Sequence, residues 1–164
     1  MADYQATDIR KLLKALDAIE PKAGNALKRD AKKAAKPLQD GIKKTIPRVS
    51  PLSGMNNNGR LGWGQGKPAQ SVTTSWKMKR SRRKAETSLL SVRVNSPATA
   101  LTDYAGRRSG GRTPQGRAMI QKLNQTRRAS RWAWFAAEKY LPQVTNAVKG
   151  IIEDASKRIS KDFK

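Results

Sequence analysis

Cysteine and histidine are both absent from this 164-residue chain. Without cysteine there is no disulfide and no thiolate metal site. Without histidine the usual zinc ligand and the usual general base are gone. Carboxylates are scarce, 12 against 35 Lys and Arg, and no acidic loop has the spacing that a hard cation such as Mg²⁺ or Ca²⁺ requires. No apolar run approaches the ~20 residues that span a bilayer. The opening Met1-Ala2-Asp3-Tyr4-Gln5 lacks a basic segment followed by an apolar one, so it does not read as a secretory signal. The expectation is a soluble chain made in a cytoplasm, with no membrane partner. Hydrophobic residues are 37% of the whole, below the ~45–50% of typical domains, although that benchmark also counts glycine. Much of the fraction is alanine, so the buried core should be small.

What is present is positive charge, and it is unevenly placed. Residues 49–130 carry 16 Lys and Arg against two carboxylates, Glu86 and Asp103, for +14 of the chain's +23. The densest part is Lys77-Met78-Lys79-Arg80-Ser81-Arg82-Arg83-Lys84. Such a stretch repels itself and calls for a polyanion or an acidic protein surface.

The patterning predicts one α+β domain over residues 1–164: N-terminal helices, a central β-hairpin or small antiparallel sheet with long basic loops, and a long C-terminal helix. Helices are expected over residues 7–46. Ile9, Leu12, Leu13, Leu16 and Ile19 have helical spacing, with Thr7 or Asp8 as N-cap. Pro21 suits the first turn of a second helix. That helix carries Ala23, Leu27, Ala31, Ala34, Leu38 and Ile42 on one stripe and ends at Pro47. Its other face, with Lys28, Arg29, Lys32, Lys33 and Lys36, reads as solvated.

Residues 48–70, rich in glycine and asparagine, read as a loop unable to build a core. Loops longer than about 12–15 residues are uncommon unless functional or disordered. Gly62-Trp63-Gly64-Gln65-Gly66 lacks the strand and helix that phosphate-binding motifs need. Trp63 has no evident core to enter, so Trp63, Arg60 and Leu61 are candidates for an interface.

Alternation of Val72, Thr74, Trp76 and Met78, and of Ser88, Leu90, Val92 and Val94, predicts a hairpin over 71–95. The cluster Lys79–Lys84 would lie at or near its tip. Ala98–Ala105 is a short helix or turn. Residues 107–130 are basic loops around a short helix near Pro114–Leu123. Val144, Val148, Ile151, Ile152, Ala155, Ile159 and Phe163 form the stripe of a C-terminal helix within 131–163. Pro142 either starts that helix or interrupts a longer one.

Acid–base catalysis at neutral pH usually uses histidine or a tuned carboxylate, and the centre offers only Glu86 and Asp103, far apart. A Ser–Lys nucleophile needs residues the chain has in plenty, but any basic, loop-rich chain has both. No catalytic, cofactor or metal residues are therefore assigned. The contact candidates are Lys77, Lys79, Arg80, Arg82, Arg83, Lys84, Arg107, Arg108, Arg112, Arg127 and Arg128. These types contact phosphates without reading sequence. The tryptophans at 63, 76, 132 and 134 can stack on bases. The competing reading puts Trp76, and Trp132 or Trp134, in the core. No sequence-reading module is evident.

The order of features resembles a known family. A helical pair leads into Ser53-Gly54 and Gly59-Arg60-Leu61, then a hairpin, then Asp103-Tyr104-Ala105, then Gly116-Arg117-Ala118-Met119-Ile120. Ser130-Arg131-Trp132, with Ala136-Ala137, opens the last helix. From about residue 7 to 160 this resembles the head–tail joining (neck) proteins of long-tailed double-stranded DNA phages, often described as minor tail or tail-completion proteins, and in particular their actinobacteriophage members. The resemblance implies a structural virion subunit, assembled in the host cytoplasm, without cofactor or turnover. It implies a homo-oligomeric ring between the capsid connector and the tail, with packaged double-stranded DNA in its lumen. Members commonly follow Tyr-Ala with an acidic residue, whereas Tyr104-Ala105 here runs into Gly106-Arg107-Arg108. The alternative is a free, sequence-nonspecific nucleic-acid-binding protein. A ribosome-associated or other RNA-bound protein is a third reading.

Overall fold

A computed structural model describes residues 23–64, 67–80, 87–106 and 111–162, together with Lys11, Lys14, Ala15 and Ala18, which are helical. The side chains at 77–80, 87–89, 159 and 162 fall outside the described set. The elements are α1 (Ala23–Ala34), α2 (Lys36–Thr45), a 3₁₀ turn (Ser53–Met55), α3 (Lys67–Gln70), β1 (Val72–Arg80), β2 (Thr87–Val94), α4 (Pro97–Tyr104), α5 (Pro114–Thr126) and α6 (Ala133–Asp162). The fold is α+β, with β1 and β2 paired as a two-stranded antiparallel sheet. One domain was the expectation for 1–164; contacts gather the chain into two compact units. The first comprises Met1–Lys36, Thr74–Ser91 and Pro142–Lys164, and the second Pro37–Thr73 and Val92–Leu141.

In the first unit, Leu27 of α1 and Ala155 of α6 are buried together, with Ala23 and Ile151 packed against them. These residues belong to the two stripes predicted from the sequence, and Val144 and Ile152 are also buried. Ile19 and most of the first predicted helical segment lie outside the described residues, as does Phe163. On the other face of α1, Arg29, Lys32 and Lys33 are exposed. Asp30 accepts ion pairs from Arg29 at 3.7 Å and Lys33 at 3.9 Å. Ser91 Oγ donates to the Ser75 carbonyl across the ribbon.

The second unit holds most of the core: Leu38, Ile42, Ile46, Met55, Trp63, Val72, Ala98, Ile120, Leu123, Trp132 and Ala136. Gly41 lets the α2 backbone meet the ring of Tyr140; a Cβ at that position would run into the ring. Helices α4 and α5 begin with one device. Ser96 accepts from Thr99 N–H at 3.2 Å and Thr113 from Gly116 N–H at 3.1 Å, each followed by a proline in the first helical turn. The hydroxyl satisfies an orphan donor, and proline has no N–H to leave orphaned.

Two expectations need correction. The helix predicted to run from Pro21 to Pro47 is broken at Ala35, between α1 and α2. Pro37 has no N–H for the Lys33 carbonyl, so the chain restarts with Pro37 in the first turn of α2. Residues 48–70 do build core, because they contribute Met55, Trp63 and Pro68. The first strand runs to Arg80 and so carries Lys77, Lys79 and Arg80 on its backbone; pairing uses backbone groups and does not require apolar side chains. Two open alternatives are also decided. Trp132 is buried and Trp134 lies on the surface, while Trp76 is half-buried. At Pro142 the helix runs through: α6 begins at Ala133 and contains Pro142.

Candidate contact surface

A buried cation organises the second unit. Arg131 is fully buried, although two exposed aromatics stand three and four residues beyond it. Its Nη1 donates to the carbonyls of Thr102 (2.9 Å), Asp103 (3.3 Å) and Ala105 (3.0 Å). Nε donates to the Leu123 carbonyl at 3.3 Å and Nη2 to Asn124 Oδ1 at 2.6 Å. The guanidinium therefore caps the C-terminal ends of α4 and α5 at once. The last carbonyls of a helix have no partner within it and carry partial negative charge, which a cation neutralises.

The other half of the network is anionic. Asp103 Oδ1 accepts from Trp132 N–H at 2.7 Å, at the N-terminal edge of α6, where orphan donors and positive potential favour a carboxylate. The Asp103 carbonyl accepts from Ser130 N–H at 2.7 Å. The Trp132 indole donates to Thr102 Oγ1 at 3.2 Å, and that hydroxyl donates in turn to the Ala98 carbonyl at 3.0 Å. Burial lowers the pKa of Arg131 and the Asp103 charge opposes the shift. Ser130 holds a left-handed backbone, with φ +69°. That conformation is costly without glycine and is retained where the surroundings over-determine it. The sequence alone gives Arg131 no such role; its only signals are its place in Ser130-Arg131-Trp132 and the scarcity of central carboxylates that could pair with it.

Trp63 is 2% exposed, and its indole donates to the Pro47 carbonyl at 2.7 Å. It is a core anchor, which corrects the expectation that it has no core to enter. It ends a loop closed by Trp63 N–H to the Met55 carbonyl (2.8 Å) and Gly64 N–H to the Asn57 carbonyl (3.2 Å). Gly62 approaches the Asn57 carbonyl so closely that no Cβ fits. Arg60 and Leu61 are exposed at the tip of this anchored loop.

The cationic candidates divide by position. Arg112, Arg127 and Arg128 are exposed. Lys77, Lys79 and Arg80 are on the β1 backbone, with side chains outside the described set; Arg82, Arg83, Lys84, Arg107 and Arg108 lie outside the described residues. The second unit's sequence contains 15 Lys and Arg against three carboxylates, Asp40, Asp103 and Glu138. Asp103 is buried, leaving two carboxylates to face outward. Among the described residues no ion pair falls in this unit; the two that form are both at Asp30. The surface charge is therefore available to a partner.

One set of surface groups does converge. Arg127 Cζ lies 3.7 Å from the centroid of the Phe135 ring, in cation–π contact. Trp134 donates its indole N–H to Glu138 Oε1 at 2.7 Å. Trp132 supplies core and Trp134, two residues on, points to solvent, because a helix turns by about 100° per residue.

Among the described residues, no group of three His, Cys, Asp or Glu is placed to hold a metal ion, and no helix is long and apolar enough to cross a membrane. No family model, curated protein or solved structure matches the chain.

Proposed function

We propose that this chain is a structural, non-catalytic subunit of a phage head–tail connector. In this reading it forms an oligomeric ring that joins the capsid connector to the tail and surrounds the DNA path in the virion. The observation that carries it is the meeting of two motifs of the resemblance, Asp103-Tyr104-Ala105 and Ser130-Arg131-Trp132, in one buried network. Residues far apart in sequence thus serve a single structural purpose. Of the two central carboxylates, Asp103 is committed to that network, which favours an architectural role over a catalytic one. The cation-rich surface of the second unit suits a subunit facing DNA, which phosphate contacts hold without sequence preference.

Electron cryomicroscopy of the virion tests this directly. The expected result is density for the chain as a ring at the head–tail junction; its absence there overturns the reading. The 15-to-three imbalance of charge also favours a second reading, a free nonspecific nucleic-acid-binding protein. Steeply salt-dependent DNA binding by a chain that stays monomeric in analytical ultracentrifugation would favour the second.

A further inference from the structure

The N-terminal turns of α6 present an apolar face that no described residue of the second unit covers. Trp134 is 58% exposed, Phe135 44% and Leu141 50%. Trp134, Glu138 and Leu141 fall at i, i+4 and i+7, so they share one side of the helix. Phe135 lies beside Trp134, roofed by Arg127, and Arg128 is exposed next to Arg127 in the chain. We infer that this shelf is a docking site for an acidic, amphipathic segment of another protein, whose apolar side chains cover Trp134, Phe135 and Leu141 while its carboxylates pair with Arg127 and Arg128.

Composition and charge select this occupant. Tryptophan and arginine are among the residues most enriched where protein–protein binding energy is concentrated, and clustering at a patch surrounded by polar groups is their usual setting. Duplex DNA offers phosphates to the arginines but keeps its bases stacked, so it gives Trp134 and Leu141 no apolar surface. At this shelf a second copy of the chain is the poorer match, because its 12 carboxylates are interspersed among 35 Lys and Arg; the ring contacts of the neck reading fall elsewhere. An acidic amphipathic segment supplies both complements. Glu138, held by the Trp134 indole, adds a local repulsive element that fixes where the partner's carboxylates fall, over the arginine side of the shelf. The inference does not depend on the neck reading, because it is tested on the isolated chain.

The experiment is calorimetric titration of the full chain with a helix-forming peptide of Glu, Leu and Phe arranged to give one apolar face. Its controls are a scrambled peptide of the same composition and oligothymidylate. The amphipathic peptide should bind about tenfold more tightly than the scramble, and Trp134→Ala should reduce its affinity by about tenfold. The double variant Arg127→Gln, Arg128→Gln should weaken it and flatten its salt dependence. Leu141→Ser probes the same face without removing an indole hydrogen bond, and circular dichroism of each variant should be unchanged. Equal binding of the two peptides overturns the inference, as does retention of affinity by folded Trp134→Ala and Leu141→Ser. A loss in Trp134→Ala confined to oligothymidylate overturns it too, and assigns the shelf to nucleobases instead.

Discussion

Arg127 and Arg131 stand four residues apart and are used in opposite ways. Arg131 is withdrawn from water and spends its donors on four backbone carbonyls and an asparagine. Arg127 stays exposed and leans on an aromatic ring that is itself exposed. The first holds helix ends together, and the second, with Arg112, Arg128 and Arg60, leaves charge for a partner. In a chain this basic, the abundance of cations says little about any one of them; what decides the role is whether carbonyl acceptors converge on it.

The largest effects should come from the buried side of that contrast. Arg131→Ala would leave the Thr102 and Ala105 carbonyls without a donor, each worth about 1–3 kcal/mol; the Asp103 and Leu123 carbonyls keep the Ser130 and Arg127 N–H groups. We expect a loss of about 2–5 kcal/mol in urea unfolding, a large fraction of the stability of a domain this size. If Arg131→Ala melts like the parent, the network is not an anchor. Trp63→Ala should cost about 3–4 kcal/mol through cavity formation and removal of its bond to Pro47, whereas Leu61→Ser at the tip of the same loop should cost under about 0.5 kcal/mol. Equal effects at the two positions would erase the distinction between loop base and loop tip.

Thr102→Val removes the acceptor of the Trp132 indole and should cost about 1–3 kcal/mol, read as a lowered Tm. On the exposed side, the triple change Arg112→Gln, Arg127→Gln, Arg128→Gln should leave the melt nearly unchanged. It should flatten the dependence of duplex-DNA affinity on salt, by about 0.9 in log–log slope for each phosphate that an arginine no longer neutralises. An unchanged slope would remove these arginines from any DNA-facing surface. The smallest effect belongs to Ser130→Gly. Relief of the left-handed backbone is offset by glycine's greater chain entropy, so stability should move by no more than about 0.5 kcal/mol.

Periodic features were legible in the sequence. The stripes through Leu27 and Ala155, the alternation in β1 and β2, and the Pro114 helix all have apolar spacing that local geometry imposes, and each is where it was expected. Features that depend on a single residue finding a distant partner were not. Trp63 stands in a glycine-rich stretch with no period, and its place in the core is set by turns at Asn57 and Gly62 and by the Pro47 carbonyl. Trp132 and Trp134 look interchangeable in sequence, and the phase of α6 separates them.

The sequence by itself determined the charge, its concentration in the centre, the exclusion of thiolate and histidine chemistry, and the α+β class, because these follow from composition and from periods of two and 3.6 residues. Only the tertiary structure decided which cation becomes an internal staple and which remain on the surface. That choice depends on carbonyls from α4 and α5 converging on one guanidinium, and such convergence is a property of the packed chain that no local pattern encodes.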